Sequence, residues 1–407
     1  MRYSALATAL LLMPLLAPPP ARAKIPKETI KIGVLQDLPE PYASETGDGG
    51  IVAAQLAASE FEKEYLRADA EILPGTASGG LQDDLQQVRD WLDKEHVAAV
   101  VSSAPAPVNQ RIAKLLEQQH RTLLVAEAVG GATTKLCSPA AVIWGAGENA
   151  RMRALAYTFA QQNKNRWYFV SEQNPVGLAS HLALQDAVAA QHGQIVGNTE
   201  HVVGALDFGK TVAAVNKSNA DVAVLAEGDG DLITALRGLT LDRPTHPVSF
   251  VAPYAQINDI DQAGPSVADG LVVVSPFYWN EDDQTRRFAR LWSDRMQGRQ
   301  ATQNAADVYA ATLSFLHAAK AADDIDAGKV GAQLRRGILP HTLLGPATVR
   351  PDGRVVYDVN VYAVKRPDQI QHRWDYYRKI ATVPAEQAFP PRDCGGVGPK
   401  TARDTAR

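Results

Sequence analysis

The chain has 407 residues, 45% of them hydrophobic and 21% charged, with a formal charge of −4. That length holds two domains with sizeable cores. The weakly acidic balance argues against nucleic acid or an anionic membrane surface as the main partner, and the two cysteines leave room for one disulfide at most.

The chain opens Met1-Arg2-Tyr3-Ser4, followed by the apolar run Ala5–Leu16 and then Pro18-Pro19-Pro20-Ala21-Arg22-Ala23. A basic start, a short apolar run and an A-x-A site read as a secretory signal peptide over residues 1–23. The run is about 12 residues, and a spanning helix needs about 20. No cysteine follows it to carry a lipid. The mature chain is expected to begin at Lys24 and to reach a bacterial periplasm. In that oxidising compartment Cys137 and Cys394 read as a disulfide, with two buried free thiols as the alternative.

Ile30–Leu35 alternates and is rich in branched residues, so it reads as a strand. The loop Gln36–Gly50 carries Pro39, Pro41, Tyr42, Ser44, Thr46, Gly47 and Gly49, and delivers the chain to a helix with Ile51, Ala54, Leu56, Ala57 and Phe61 on one face. A strand that hands a polar, glycine-rich loop to a helix N-terminus is the first half of a βαβ unit, and ligands bind at such ends. Further strands are expected at Ala70–Leu73, Ala98–Val101 and Thr122–Ala126, with helices at Leu81–Lys94 and Val108–His120. The pattern then repeats. Strands at Val142–Trp144, Trp167–Val170, Ile195–His201, Val222–Ala226 and Val248–Ala252 alternate with helices near Asn149–Gln162, Leu178–Gln191, Phe208–Asn216 and Asp231–Leu239. In Leu178–Gln191 the residues Leu178, Leu182, Leu184, Ala187 and Val188 read as the apolar face.

The apolar strand Gly270–Val274 follows, and then three helical stretches, Asp282–Gln297, Ala305–Ala322 and Val330–Arg336, with no strand between them. Pro351-Asp352-Gly353 marks a hairpin between Ala347–Val349 and Val355–Val364. The segment from Trp374 to Pro391 reads as an aromatic tail packed on a surface. Breaks near Val142–Gly145, Ser275–Pro276 and Gly345–Pro346 imply three crossovers between two doubly wound α/β lobes. The expected division is 1–23 leader, 24–142 with 276–343 as lobe 1, 143–275 with 344–385 as lobe 2, and 386–407 as a C-terminal tail.

No P-loop, Gly-x-Ser-x-Gly elbow or His-Glu-x-x-His is present, and the nine histidines are scattered. Gly145-Ala146-Gly147-Glu148-Asn149-Ala150 imitates a dinucleotide fingerprint, with Glu172 after the next strand. It lies at a crossover rather than at the first βα turn, so no cofactor, no metal and no catalytic residue are expected.

The order and spacing of Ile30–Leu35, Pro41-Tyr42, Gly270–Val274, Leu344-Gly345-Pro346 and Pro351-Asp352-Gly353 resemble the type I periplasmic solute-binding proteins of ABC transporters, within the leucine/isoleucine/valine-binding subfamily. The resemblance implies a small amino acid-like solute held between two lobes that close about the hinge, a monomeric receptor, and a permease partner in the inner membrane. It places Ser102 or Ser103 against a ligand carboxylate, Gly131, Ala132 and Thr133 around the amine and carboxylate, and Tyr42 on the cleft wall. In lobe 2, the loop Ser171–Gly177 offers Asn174 and has Pro175 where an aromatic is common. Glu227 or Asp229 is then a candidate for an ammonium group and Tyr254 for the missing ring, with Asp231 expected as a helix N-cap. The rival readings are a sensor or accessory protein of the same fold and an exported hydrolase or dehydrogenase.

Overall fold

Apolar strands alternating with amphipathic helices produce two parallel sheets in succession. The computed structural model describes residues 29–37, 49–65, 69–77, 80–127, 136–241, 244–392 and 394. The leader and most of the opening loop, Tyr42 included, lie outside them. The first sheet holds β1 (Ile30–Asp37), β2 (Ala70–Ala77), β3 (Ala99–Ser102), β4 (Thr122–Val125) and β5 (Ala141–Ile143), linked by α1 (Gly49–Glu64), α2 (Leu81–Asp90) and α3 (Ala106–Gln118). Its order is β2-β1-β3-β4-β5 and every pairing is parallel.

After β5, α4 (Gly147–Ala160) leads into the second sheet. Strands β6 (Arg166–Glu172), β7 (Gln194–His201), β8 (Val222–Ala226), β9 (Ser249–Ala252) and β10 (Val272–Val274) alternate with α5 (Pro175–Ala190), α6 (Gly209–Ser218), α7 (Asp229–Leu241) and α8 (Ile257–Ala263). Their order, β7-β6-β8-β9-β10, repeats the winding of the first sheet. Helices α9 (Asp283–Arg295), α10 (Gln303–Ala322) and α11 (Ala327–Leu334) follow. Helix α10 packs on α1 and α11, on the first lobe. It is buried almost throughout, and small residues such as Ala306, Ala310 and Ala311 on α10 and Ala53, Ala54 and Ala57 on α1 let the helices approach closely. The hairpin β11 (Thr348–Val349) and β12 (Val355–Val356) precedes β13 (Val359–Val364) and β14 (Tyr377–Val383), which extend the second sheet antiparallel beyond β10. The architecture is two α/β lobes built from discontinuous pieces.

Four local outcomes depart from the sequence expectation. The strand read over Val355–Val364 breaks at Tyr357-Asp358, so its two halves serve different sheets. The aromatic tail supplies β14, whose Tyr377 is buried against Tyr362 and Tyr278. In α5 the buried positions are Ala183, Leu184, Ala187 and Val188, while Leu178 and Leu182 are exposed. That helix is apolar nearly all round, so hydrophobicity alone does not choose its inner face. Helix α2 ends early in a single π turn, Trp91–Glu95. The turn sets the Trp91 ring against β1 and β2, where a Cβ on Gly33 or Gly75 would lie 2.4 or 2.6 Å from ring carbons. The two cysteines form a disulfide, Cys137–Cys394, with Cα atoms 5.5 Å apart. It ties the end of the chain to the β4–β5 connection.

Candidate functional site

In an open parallel sheet the ligand crevice lies beyond the strand carboxyl ends, where the winding reverses. Here that point falls between β1 and β3 in the first lobe and between β6 and β8 in the second. The residues at these four strand ends therefore define the candidate site.

In the first lobe they are Gln36, Ser102 and Ser103, all buried. The Gln36 amide donates to Ser103 Oγ at 3.5 Å, and Ser103 donates to Asn304 Oδ1 at 3.2 Å. Ser102 Oγ accepts from the Ala104 amide at 3.2 Å. Neither serine caps α3, which begins behind Pro105. Gly50, in the first turn of α1, has no Cβ to collide with Gln36; one would lie 1.9 Å from Oε1. The Gln36 carbonyl oxygen is buried there with no hydrogen-bond partner among the described residues. This wall is neutral and carries hydroxyl and amide groups.

The second wall is acidic. Glu172 ends β6, Glu227 follows β8, and both are buried. Glu172 accepts from the Gly228 amide at 2.8 Å and from Asn174 Nδ2 at 2.5 Å. Glu227 Oε1 lies 3.1 Å from His201 Nε2, and Glu227 Oε2 is buried with no hydrogen-bond partner among the described residues. Burial raises the Glu227 carboxyl to about 7 against the pull of His201, with Asp231 and Glu172 adding repulsion. Burial also opposes the charged form of His201. Hydrogen bonds to Glu227 and to the Val202 carbonyl, with the charges of Glu227 and Asp231, outweigh it and raise the imidazole to about 9. The geometry agrees: Nδ1 faces a carbonyl at 2.9 Å and Nε2 a carboxylate, so both nitrogens donate in the imidazolium.

Between the walls lies a buried ionic floor. Arg151 of α4 donates to the Pro253 carbonyl at 2.7 Å and to Glu127, beyond β4, at 3.5 Å. Its guanidinium lies 5.5 Å from the centre of the Tyr254 ring. Asp307 of α10 is fully buried, and desolvation pushes its carboxyl well above the usual range, with Glu127 adding to the rise and Arg151 opposing it.

The structure brings Ser102 and Ser103 together on one wall and Asn174 and Glu227 on the other. Asn174 serves as the N-cap of α5, accepting from the Gly177 amide at 2.8 Å. Tyr254 is buried, its hydroxyl 2.5 Å from Ser180 Oγ. Asp231 is not a cap: it sits inside α7 and its carboxylate accepts from the Gly204 amide at 2.9 and 3.0 Å. Gly131, Ala132, Thr133 and the Asp229 side chain lie outside the described residues, as does Tyr42. Sequence reasoning passed over Gln36, His201, Arg151, Gln303, Asn304 and Asp307. The signal for three of these was legible, because Gln303, Asn304 and Asp307 are polar residues clustered at the start of a helix whose remainder is mostly apolar. Among the described residues no group of three His, Cys, Asp or Glu is placed to hold a metal ion. No helix among them is long and apolar enough to cross a membrane.

No curated protein matches the chain in sequence. Its fold is similar to that of a branched chain amino acid ABC transporter periplasmic ligand-binding protein from Burkholderia xenovorans, with TM-score 0.81 and 25% identity over 89% of this chain and 97% of that one. It is also similar to a leucine-, isoleucine-, valine-, threonine- and alanine-binding protein from Brucella ovis in a closed conformation, with TM-score 0.76, 17% identity, and 89% and 97% of the two chains covered. A solute-binding protein of an ABC transporter from R. palustris, in complex with benzoate, shares the fold at TM-score 0.73 and 13% identity, over 88% and 97% of the two chains. Residues 29–369 match the family described as periplasmic binding protein, whose members are non-enzymatic solute receptors. The chain belongs to the periplasmic binding protein family.

Proposed function

We propose that this protein is the exported solute-receptor of an ABC importer and that its solute is a small zwitterion of the amino acid type. The observation that carries the reading is the chemical contrast between the two walls. Hydroxyl and amide groups at the β1/β3 reversal suit a carboxylate, which also gains from the nearby helix N-termini. Buried Glu227, with one oxygen lacking a hydrogen-bond partner among the described residues, suits an ammonium group. A simple aromatic acid satisfies the first wall and leaves the second unanswered, so the amino acid reading is preferred to the benzoate of the R. palustris protein. Residues 1–23 act as the cleaved leader, 24–142 with 276–343 form one lobe, and 143–275 with 344–385 form the other. The monomer closes about the three connections, and the closed surface engages the permease.

Ligand that binds the folded chain alone raises its stability by mass action, about 2.7 kcal/mol at a hundredfold excess over Kd. A thermal-shift screen of amino acids, their amides and aromatic acids tests the reading. A rise with one or more amino acids is expected. A response confined to aromatic acids, or none to any amino acid, refutes the solute assignment.

A further inference from the structure

Away from both walls, a pocket opens at the N-terminus of α4. Ala146 and Asn149 line it from the helix side, Arg350 and Arg354 from the β11–β12 hairpin, and Phe389 and Arg392 from the end of the chain. The three arginines are not equivalent. Arg350 is saturated: it clasps Asp352 through Nε and Nη2 at 3.3 and 2.7 Å and donates to the carbonyls of Phe389 and Pro390 at 2.7 and 3.1 Å. Arg354 is 2% exposed. Its Nη2 donates to the carbonyls of Gly145 and Ala146, while Nε and Nη1 are buried with no hydrogen-bond partner among the described residues. Arg392 repeats the arrangement. Its Nη2 donates to the Leu136 carbonyl at 2.6 Å, and its Nε and Nη1 are likewise buried with no hydrogen-bond partner among the described residues.

Four guanidinium nitrogens on two residues that line this pocket thus have no acceptor among the described residues, and no acidic side chain is among its described lining residues. Glu148, the acid in the first turn of α4, does not line it, and Asp352 is already held by Arg350. A buried charged donor without a partner costs more than a neutral one. Two guanidinium groups that also repel each other add to that cost, and burial depresses both below the usual arginine range, Arg354 to about 10. The N-terminus of the 14-residue α4 adds its positive end. An oxyanion answers all of this at once, because a guanidinium edge matches two oxygens.

We propose that this pocket is a second binding site, for a small oxyanion of the phosphate or sulfate type, held by the free edges of Arg354 and Arg392 at the α4 N-terminus. The site joins the first inter-lobe connection to the third and to the disulfide-tied chain end. An occupant therefore stiffens the hinge without entering the solute cleft.

Calorimetric titration of the full mature protein with sodium phosphate, and separately with sodium sulfate, tests this, with ionic strength held constant by sodium chloride. The expected result is one saturable site per chain with Kd roughly millimolar or tighter. R392Q should weaken it at least tenfold, and R392K, which keeps the charge but not the fork, should fall between. Arg354 is deeply buried and R354Q is a harsher change, so the half-buried Arg392 carries the test if R354Q fails to fold. S102A should bind phosphate as the parent does. No saturable heat, an equal response to chloride, an unchanged R392Q affinity, or loss of phosphate binding in S102A would each overturn the proposal.

Discussion

Glu227→Gln keeps the shape of the side chain and removes the carboxyl that pairs with His201. The effect on stability follows from the direction of both shifts. His201 is raised to about 9 in the folded chain from an ordinary 6.5. Its contribution is fully present below pH 6.5 and is lost as pH rises through 9. Glu227 is raised to about 7 from 4.5, so the folded chain also holds that proton more tightly, and stability falls between pH 4.5 and 7. The two losses have the same sign and follow one another along the pH axis. At about 1.4 kcal/mol per pH unit, the imidazole alone is worth at most about 3 kcal/mol between pH 6.5 and 9. Asp231, whose carboxylate is 3.7 Å from His201 Nδ1, remains in the variant and keeps part of the shift. Glu172, on the neighbouring strand, remains as well. About 2 kcal/mol of the decline should therefore disappear in E227Q. Urea unfolding followed by tryptophan fluorescence at pH 5, 6.5 and 9 measures it. A parent–variant difference that does not change with pH would refute the assigned protonation of the pair.

Removing both wall hydroxyls, Ser102→Ala with Ser103→Ala, should weaken binding of whichever amino acid scores in the screen by tenfold or more, since each lost hydrogen bond to a charged group is worth about 1.5–3 kcal/mol. Unchanged affinity by calorimetry, in a variant that still unfolds cooperatively, would remove the carboxylate from that wall. The disulfide closes a span of 257 residues. Replacing both cysteines by serine should cost about 2–5 kcal/mol by constraint of the unfolded chain, read as a lower urea midpoint that the parent reproduces when reduced. Equal midpoints for oxidised and reduced parent would show that the link constrains nothing.

The order of strands and helices was readable because parallel βα units bury each strand on both faces and write it as an apolar run. Val222–Ala226 is such a run, and Ile30–Leu35 departs from one only at Lys31. The winding was not readable. Nothing in the alternation says that β2 lies outside β1, yet that reversal selects Gln36 and Ser102 as neighbours at the crevice. Exposed Leu178 and Leu182 show the limit of periodicity in a helix that is apolar around its circumference. Trp374–Tyr377 read as a surface tail because aromatic density does not reveal a strand partner upstream, here β13, whose Val364 pairs with Tyr377 and Val359 with Val383. At the site, Glu227 was visible as an acid after a strand. His201 was not, since its role arises from β7 ending beside β8 across β6, a relation without trace in local sequence.

The contacts that join the lobes are of two kinds, and their difference bears on how the cleft works. At the floor, Arg151 and Glu127 are 1% and 4% exposed, and Arg151 is further fixed to the Pro253 carbonyl. Separating them would leave a buried charge uncompensated, at several kcal/mol. Nearer the N-terminus of α10 the links are neutral. The Gln303 amide donates to Gln256 Oε1 at 3.1 Å, and Asn258 donates to the Gln300 carbonyl at 3.3 Å. Each is worth about 0.5–1.5 kcal/mol, and water replaces it readily. Opening should therefore pivot on the ionic floor and part the neutral links first. With so little holding those links, the proposed solute, by touching Ser102 on one wall and Glu227 on the other, would supply the closed form's population. A solute that reaches only one wall binds both forms alike and shifts nothing, however tightly it is held.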